Sequence, residues 1–544
     1  MVKALSLFAD SDLKRALLSL LHRCKSMSDL KKTHALLITL GLSHDQPLSS
    51  RLLSFAALSA SGNVDYAYAF LRALSNPSVS DWNAIVRGFS SGRNPEKSIR
   101  VFVQMLRSGV SADHMTFPFL AKSCSRLWNR ELGGSIHGAV AKTGLEWDLF
   151  VCNSLIHMYG SFRDIASTRK LFEEMPVKNL VSWNSMLDGY AKCGDIVSAR
   201  QVFDEMLERD VVSWSSMVDG YVKSDDYDEA LEIFDQMMEM GPKANEVTMV
   251  SVFCACAHLG VLDRGKTVHR YVIDESLPLT ITLRTSLVDM YAKCGAIEEA
   301  WNVFREVPAG ETDVLLWNSM IGGLANHGFI RESLELFREM RESGINPDEI
   351  TFLCLLSACS HGGLVKEAWH FFEGLKESGA EPKSEHYACM VDVLSRAGLV
   401  SEAYGFISEM PIEPTASMLG ALLSGCINHG NLDLAERVGK RVLEMQPDHD
   451  GRYVGLSNVY AIKKRFEDAR SMREAMEDRG VKKFAGHSII ELLGTSHRFI
   501  AHDKTHVDTP RICSILHLLV TVMKLDDVDV DDDNVDKEHR FSCS

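Results

Sequence analysis

The sequence predicts an all-α chain, an α-solenoid superhelix of helix-turn-helix repeats. Three observations predict it. One phrase recurs: Trp82-Asn83-Ala84-Ile85, Trp183-Asn184-Ser185-Met186, Trp214-Ser215-Ser216-Met217 and Trp317-Asn318-Ser319-Met320. A second phrase follows each: Ser98…Phe102…Met105, Ala199…Phe203…Met206, Ala230…Phe234…Met237 and Ser333…Phe337…Met340. Cut at the Trp phrase, the chain falls into abutting blocks of 31 to 35 residues. A fixed period of about 34 residues marks stacked helical hairpins rather than one globular core.

Taken in order, residues 1–13 read as a short leader. Met1–Leu20 is amphipathic and carries Lys3, Lys14 and Arg15, but Asp10 and Asp12 weaken its transit-peptide character. Lys14–Gln46 and Pro47–Ser78 read as degraded repeats (14–78). The regular array spans 79–415. Val79–Asp113, His114–Asp148, Val211–Asn245, Glu246–Thr280, Val314–Asp348 and Glu349–Lys383 have 35 residues each. Leu149–Asn179 and Leu180–Asp210 have 31, Ile281–Asp313 has 33, and Ser384–Thr415 has 32. Val314–Asp348 shows the internal logic. Trp317, Met320, Ile321 and Leu324 form one helical stripe, and Asn326-His327-Gly328 breaks it. Ile330, Leu334, Phe337 and Met340 form a second stripe, which Gly344 and Pro347 end. Neither helix buries its stripe alone, so the hairpins must stack.

No apolar run reaches the length of a membrane span; Ile512–Met523 is too short and carries His517. The thirteen cysteines recur at repeat positions (Cys124, Cys256 and Cys359; Cys193 and Cys294), as small core thiols do. The net charge of −16 denies the chain a bulk basic footprint. Part of it comes from a low-complexity acidic tail, 526–544, expected to be disordered. Any RNA contact therefore rests on particular positions.

The tetratricopeptide pattern is a competing period-34 repeat, but it expects Leu-Gly-x-x-Tyr in its first helix. This chain has Gly189-Tyr190-Ala191-Lys192-Cys193-Gly194, Met290-Tyr291-Ala292-Lys293-Cys294-Gly295 and the closing Gly344-Ile345-Asn346-Pro347-Asp348. These phrases resemble the pentatricopeptide repeat (PPR) family. The alternation of 35- and 31-residue blocks resembles its plant PLS subclass, and Ser123-Cys124…Gly133…His137 with Ala255-Cys256…Gly265…His269 marks the long-type blocks. Gly420–Cys426, Leu456–Ala461 and Arg479–Lys483 resemble the E domain that follows such arrays, placed here at 416–485. His487–Glu491 and His497–Phe499 resemble the start of its extension, 486–525. The resemblance implies a right-handed superhelix.

It also implies a reading mechanism. Such repeats read about one base each through two or three side chains, in this family through the fifth and last residues. A carboxylate acceptor suits the keto and ring N–H edge of uracil and guanine. An amide suits the amino group and bare nitrogen of cytosine and adenine. Asn at the fifth position is implied to favour pyrimidines, and Ser or Thr to favour purines. Asn83/Asp113, Asn184/Asp210 and Asn318/Asp348 then imply U, Asn153/Asn179 C, Ser215/Asn245 A, and Thr285/Asp313 G. Pro118/Asp148, Val250/Thr280, Leu353/Lys383 and Ala388/Thr415 fall outside the code. The implied site is 5′-U-N-C-U-A-N-G-U-N-N-N-N-N-C, with Asn318/Asp348 at −6. Asn and Asp at these places also serve as ordinary helix caps. Their recurrence at the same two offsets in six blocks favours RNA contact.

Two other chemistries lack support. Gly260–Thr267 matches the P-loop letter for letter, but it spans a turn and second helix where a strand would have to precede it. The sister block has Trp128 and Gly134 at the places of Gly260 and Lys266. A zinc cytidine deaminase needs His-x-Glu and Pro-Cys-x-x-Cys, and neither occurs. The expectation is thus a non-enzymatic site-recognition factor for C-to-U editing, with no cofactor, metal, membrane or small-molecule substrate. Its partners are single-stranded organelle RNA and, in trans, a DYW-type deaminase protein with editing accessory factors. The alternatives are an RNA stability, splicing or translation factor and a protein-binding scaffold. Mitochondrion is the expected location, on family grounds, with plastid second.

Overall fold

The computed structural model describes residues 10–308, 310–482, 486–492, 495–500 and 503–526. The first nine residues of the expected leader, and the acidic tail beyond Asp526, lie outside them. The fold is an α-solenoid of paired helices, from Asp10–Arg23 to Phe466–Asp478. It divides into two bodies, Met1–Leu259 with Tyr271–Pro278, and Gly260–Arg270 with Leu279–Ser544. Within each body, the first helix of a hairpin packs on its own second helix and on the first helix of the next hairpin. The result is two layers, with first helices in one and second helices in the other.

In the second body, Val314–Asn326 buries Leu316, Trp317, Met320, Ile321 and Leu324. Asp313 caps it, its Oδ1 accepting the Leu316 N–H at 3.0 Å. Gly328 turns the chain at φ +81°, a region open to glycine at little steric cost. Ile330–Glu342 follows and buries Ser333, Leu336, Phe337 and Met340. The expected stripe of this second helix is thus shifted. Leu334 and Ile330 flank it half-buried, while Leu336 and Ser333, whose Oγ donates to the Ile321 carbonyl at 3.1 Å, face the first helix.

The two recurring phrases form one joint. The Trp that opens a repeat meets, edge to face, the Phe of the preceding second helix. In the first body Phe172–Trp183 and Phe203–Trp214 centroids are 4.9 Å apart, and in the second body Phe304–Trp317 are 5.0 Å apart. Such ring pairs add about 0.5–1.5 kcal/mol beyond area burial. The spacing between the phrases is therefore a packing distance written into the chain. Close approach of first helices demands glycine: a Cβ at Gly323 would lie 2.5 Å from Ala292 Cβ, and one at Gly160 3.0 Å from Gly189 Cα.

No disulfide joins the twelve cysteines among the described residues. Burial pushes the Cys124 and Cys359 thiols up to about 12, which leaves them protonated and inert. After the helical array comes an antiparallel hairpin, His487–Leu492 with Thr495–Ile500, in register His487↔Ile500. A helix, Thr509–Asp526, follows it. This hairpin is the one departure from all-helical structure among the described residues, and it forms no sheet core. No described helix is long and apolar enough to cross a membrane.

Candidate nucleic-acid interface

Each first helix places its fifth residue beside the start of the next first helix. In the first body, Asn83 Nδ2 donates to Asp113 Oδ1 at 2.9 Å and Asn184 Nδ2 to Asp210 Oδ1 at 3.0 Å. Asn153 Nδ2 donates to Asn179 Oδ1 at 3.2 Å. In the second body, Asn318 Nδ2 donates to Asp348 Oδ1 at 2.9 Å. The structure thus joins four of the six expected pairs.

The other two pairs stay apart. Ser215 and Thr285 are too short to reach across. Their hydroxyls turn back on their own helix, to the Val211 carbonyl at 2.7 Å and the Ile281 carbonyl at 2.8 Å. Asn245 and Asp313 then act on the following helix alone, accepting the Thr248 N–H and the Leu316 N–H at 3.0 Å.

Capping and pairing are not alternatives here. Asp210, Asn179 and Asp348 are N-caps whose Oδ1 accepts the N–H of Ser213, Ser182 and Thr351. Asp113 accepts those of Met115 and Thr116. The same oxygen also takes the Asn amide. The Asn amides, the cap N–H groups and the Ser or Thr hydroxyls reach the Asp113, Asp210 and Asp348 carboxylates at Oδ1. Oδ2 and the second N–H of each paired Asn take no part in these contacts. Burial pushes all three carboxyls up, but the bonds from Asn, Ser or Thr and backbone N–H groups outweigh it and hold them below the usual carboxylate range. Each of these three Asn–Asp pairs therefore presents an ionised acceptor beside a neutral donor at neutral pH.

A further set of residues was not anticipated from sequence. The second residue of successive repeats is apolar yet exposed: Met115, Phe150, Val181, Val212 and Val247 in the first body, Leu315 and Ile350 in the second. Leu315 is 57% exposed and stands three residues before Asn318. The signal was present in the sequence. These apolar residues lie out of phase with the Trp–Met stripe, on a face where a helix usually carries polar groups. Two clefts bring some of them beside the candidate positions. One of about 240 Å³ holds Asn83 and Asp113 with Met115, Phe119 and Arg87. The other, of about 460 Å³, holds Asn318 and Thr285 with Leu315, Ile350 and Lys293. In the first cleft the Asn83–Asp113 edge thus lies between apolar side chains. Three cations of the first helices are tied to an Asp four residues earlier: Asp188–Lys192 at 2.6 Å, Asp289–Lys293 at 2.9 Å and Asp392–Arg396 at 2.8 Å.

The P-loop match dissolves in three dimensions. Gly265-Lys266-Thr267 lies inside the helix Leu262–Asp274. Lys266 pairs with Glu299 at 2.6 Å, and the Thr267 hydroxyl donates to the Asp263 carbonyl at 2.9 Å. No loop of free N–H groups remains to hold a phosphate. Among the described residues, no three His, Cys, Asp or Glu side chains converge as a metal site.

The fold and this recurring site define a helical-repeat protein in which four hairpins carry a joined two-residue edge. The models of the PPR repeat match residues 80–110, 150–180, 181–211, 284–308, 350–379 and 385–413, a second model of the PPR repeat family matches 209–258 and 312–361, and the E motif matches 429–491. The pentatricopeptide repeat-containing protein At5g08305 of Arabidopsis thaliana is 74% identical over 512 residues, 94% of this chain and 96% of that protein. At2g22410 of the same plant, named mitochondrial, is 37% identical over 612 residues (93% and 90%). At2g42920, named chloroplastic, is 41% identical over 500 residues (91% and 89%). The chain belongs to the pentatricopeptide repeat family, as a PLS-type member with an E motif. Among solved structures, it is similar to the pentatricopeptide repeat protein PPR10 in complex with an 18-nt psaJ RNA element, at a TM-score of 0.47 and 19% identity over 88% of this chain and 93% of that one.

Proposed function

We propose that this chain is a sequence-specific single-stranded RNA-binding protein. In this reading it is the non-catalytic recognition factor for C-to-U editing of an organelle transcript. The observation that carries RNA reading is the joined Asn pair, made four times with the same atoms. Each pair offers a second amide N–H and, in three of the four, a second carboxylate oxygen. Uracil answers these with a keto oxygen and a ring N–H. Cytosine's bare ring nitrogen suits the amide of Asn179 instead. The apolar residues beside the pairs supply faces for the bases to pack on.

The phosphate term is small by design. The chain carries a net charge of −16, and its Lys192 and Lys293 are already tied to Asp188 and Asp289. Affinity then depends weakly on salt and strongly on base identity. The segments 416–485 and 486–525 are assigned to recruiting a deaminase in trans. Relatives named mitochondrial and chloroplastic support an organelle, with mitochondrion as our choice over plastid.

Gel shifts with 5′-U-N-C-U-A-N-G-U-N-N-N-N-N-C, varying each fixed base, test the reading. Asn318→Thr should move the −6 preference from U toward G, and equal binding to all four bases there would overturn it. Editing analysis of organelle RNA in a loss-of-function line tests the finer claim: one unedited cytidine preceded by this string is the expected result. The acidic balance favours a second reading, a protein-binding scaffold. That reading gains ground if RNA fails to bind at all.

A further inference from the structure

Each joined Asn reader contains a third side chain, which belongs to the following repeat. Thr116 Oγ1 donates to Asn83 Oδ1 at 2.7 Å, Ser182 Oγ to Asn153 Oδ1 at 2.7 Å, Ser213 Oγ to Asn184 Oδ1 at 2.7 Å, and Thr351 Oγ1 to Asn318 Oδ1 at 2.7 Å. All four hydroxyl residues are fully buried or nearly so. Each is the third residue of its repeat.

A hydroxyl has one proton and must choose. Thr351 Oγ1 lies 3.0 Å from Asp348 Oδ1 and 2.7 Å from Asn318 Oδ1. Asp348 Oδ1 already receives the Thr351 N–H and the Asn318 amide, both at 2.9 Å. The Thr351 oxygen itself accepts the Asp348 N–H at 3.0 Å. The proton therefore goes to Asn318 Oδ1, which has no other donor. In this arrangement the amide has one allowed orientation. Its oxygen faces the hydroxyl, and its nitrogen faces the carboxylate and the ligand. A flipped amide would set its oxygen against Asp348 Oδ1, acceptor against acceptor. A hydroxyl follows every joined Asn; where the preceding residue is the short Ser215, the Thr248 hydroxyl bonds Asn245 Oδ1 at 3.0 Å instead.

We propose that the hydroxyl residue at the third position of the following repeat (Thr116, Ser182, Ser213 and Thr351) is a specificity-positioning residue that fixes the amide of the preceding Asn reader for base recognition. It touches no base. It acts by holding the Asn amide in one orientation, so each pyrimidine reader is a triad drawn from two repeats. The inference rests on the RNA-reading function proposed above.

Thr351→Val keeps the side-chain volume and removes the proton. It strands Asn318 Oδ1 without a donor, which frees the amide to rotate. RNA carrying each of the four bases at −6 is measured by fluorescence anisotropy against the unaltered protein, Thr351→Val, Thr351→Ser and Asn318→Ala. The expected result is a fall of about three- to tenfold in the preference for U in Thr351→Val, the size of one net hydrogen bond. Preference at −10, read by Asn184/Asp210, stays unchanged, and Thr351→Ser restores −6. Equal weakening of all four RNAs, or an intact preference in Thr351→Val beside a lost one in Asn318→Ala, overturns the inference and leaves the reading standing. An intact preference in Asn318→Ala overturns the reading itself. Ser213→Ala, scored at −10, repeats the test with a smaller change and decides the matter if Thr351→Val does not fold.

Discussion

Exchange of Asp348 for Asn should convert a uracil reader into a cytosine reader without disturbing the fold. The protein already holds the template. Asn179 Oδ1 accepts the Ser182 N–H at 3.0 Å and Asn153 Nδ2 at 3.2 Å, and lies 3.0 Å from Ser182 Oγ. Asp348 Oδ1 makes the same three contacts at 2.9, 2.9 and 3.0 Å. Asp348→Asn can therefore keep its Oδ1 in place and replace only Oδ2 with an amide. Asn and Asp are equivalent as N-caps, so the melting temperature should stay within about 2 °C. At the base edge the change is one of sign. The new N–H faces the ring N–H of uracil, donor against donor, and meets the bare ring nitrogen of cytosine productively. Leaving such a group unpaired costs about 1–3 kcal/mol. The U-to-C preference at −6 should thus invert, with each limb changing by about 5- to 150-fold. Anisotropy titration with the four RNAs measures it, alongside thermal melts. A variant that melts like the parent and still prefers U would show that Asp348 caps a helix and does nothing else.

Leu315→Ala should weaken binding of all four −6 variants alike, by roughly 1 kcal/mol, because it removes an exposed apolar wall and no hydrogen bond; a changed base preference in the same titration would contradict the assignment. Gly323→Ala should lower stability by about 1–3 kcal/mol in chemical denaturation, since its methyl would stand 2.5 Å from Ala292 Cβ. A neutral result would mean that the two helices separate easily. The acid response has a definite sign. Asp113, Asp210 and Asp348 titrate below their ordinary value, so their contribution is complete above the unfolded carboxylate pKa and is lost as pH falls through the lower folded values. Base preference at −6 should accordingly be the same at pH 7 and pH 5, and a loss of U preference between those values would show that the Asp348 carboxylate is not held ionised.

The sequence by itself determined the architecture and the candidate positions. Period, turn glycines and apolar stripes are local properties, and a hairpin repeat satisfies them in one way. Hence Val314–Asn326 and Ile330–Glu342 fall where Trp317 and Phe337 place them. The offsets that singled out Asn83, Asn153, Asn184 and Asn318 came from the family resemblance, and they recur at fixed places in successive repeats. Only the tertiary structure decided which pairs meet. Asn spans the gap to the next cap, whereas Ser215 and Thr285 satisfy their hydroxyls on their own backbone first. Their types are readable in the chain, but their reach is not. The structure also showed the buried hydroxyl behind each joined Asn and, within each body, the exposed apolar residues at the second position of several repeats. Those features depend on which face of a helix the neighbouring repeat covers. The hairpin His487–Leu492 with Thr495–Ile500 was silent for a similar reason. It lies outside the repeat, where no periodicity announces it and strand pairing alone defines it.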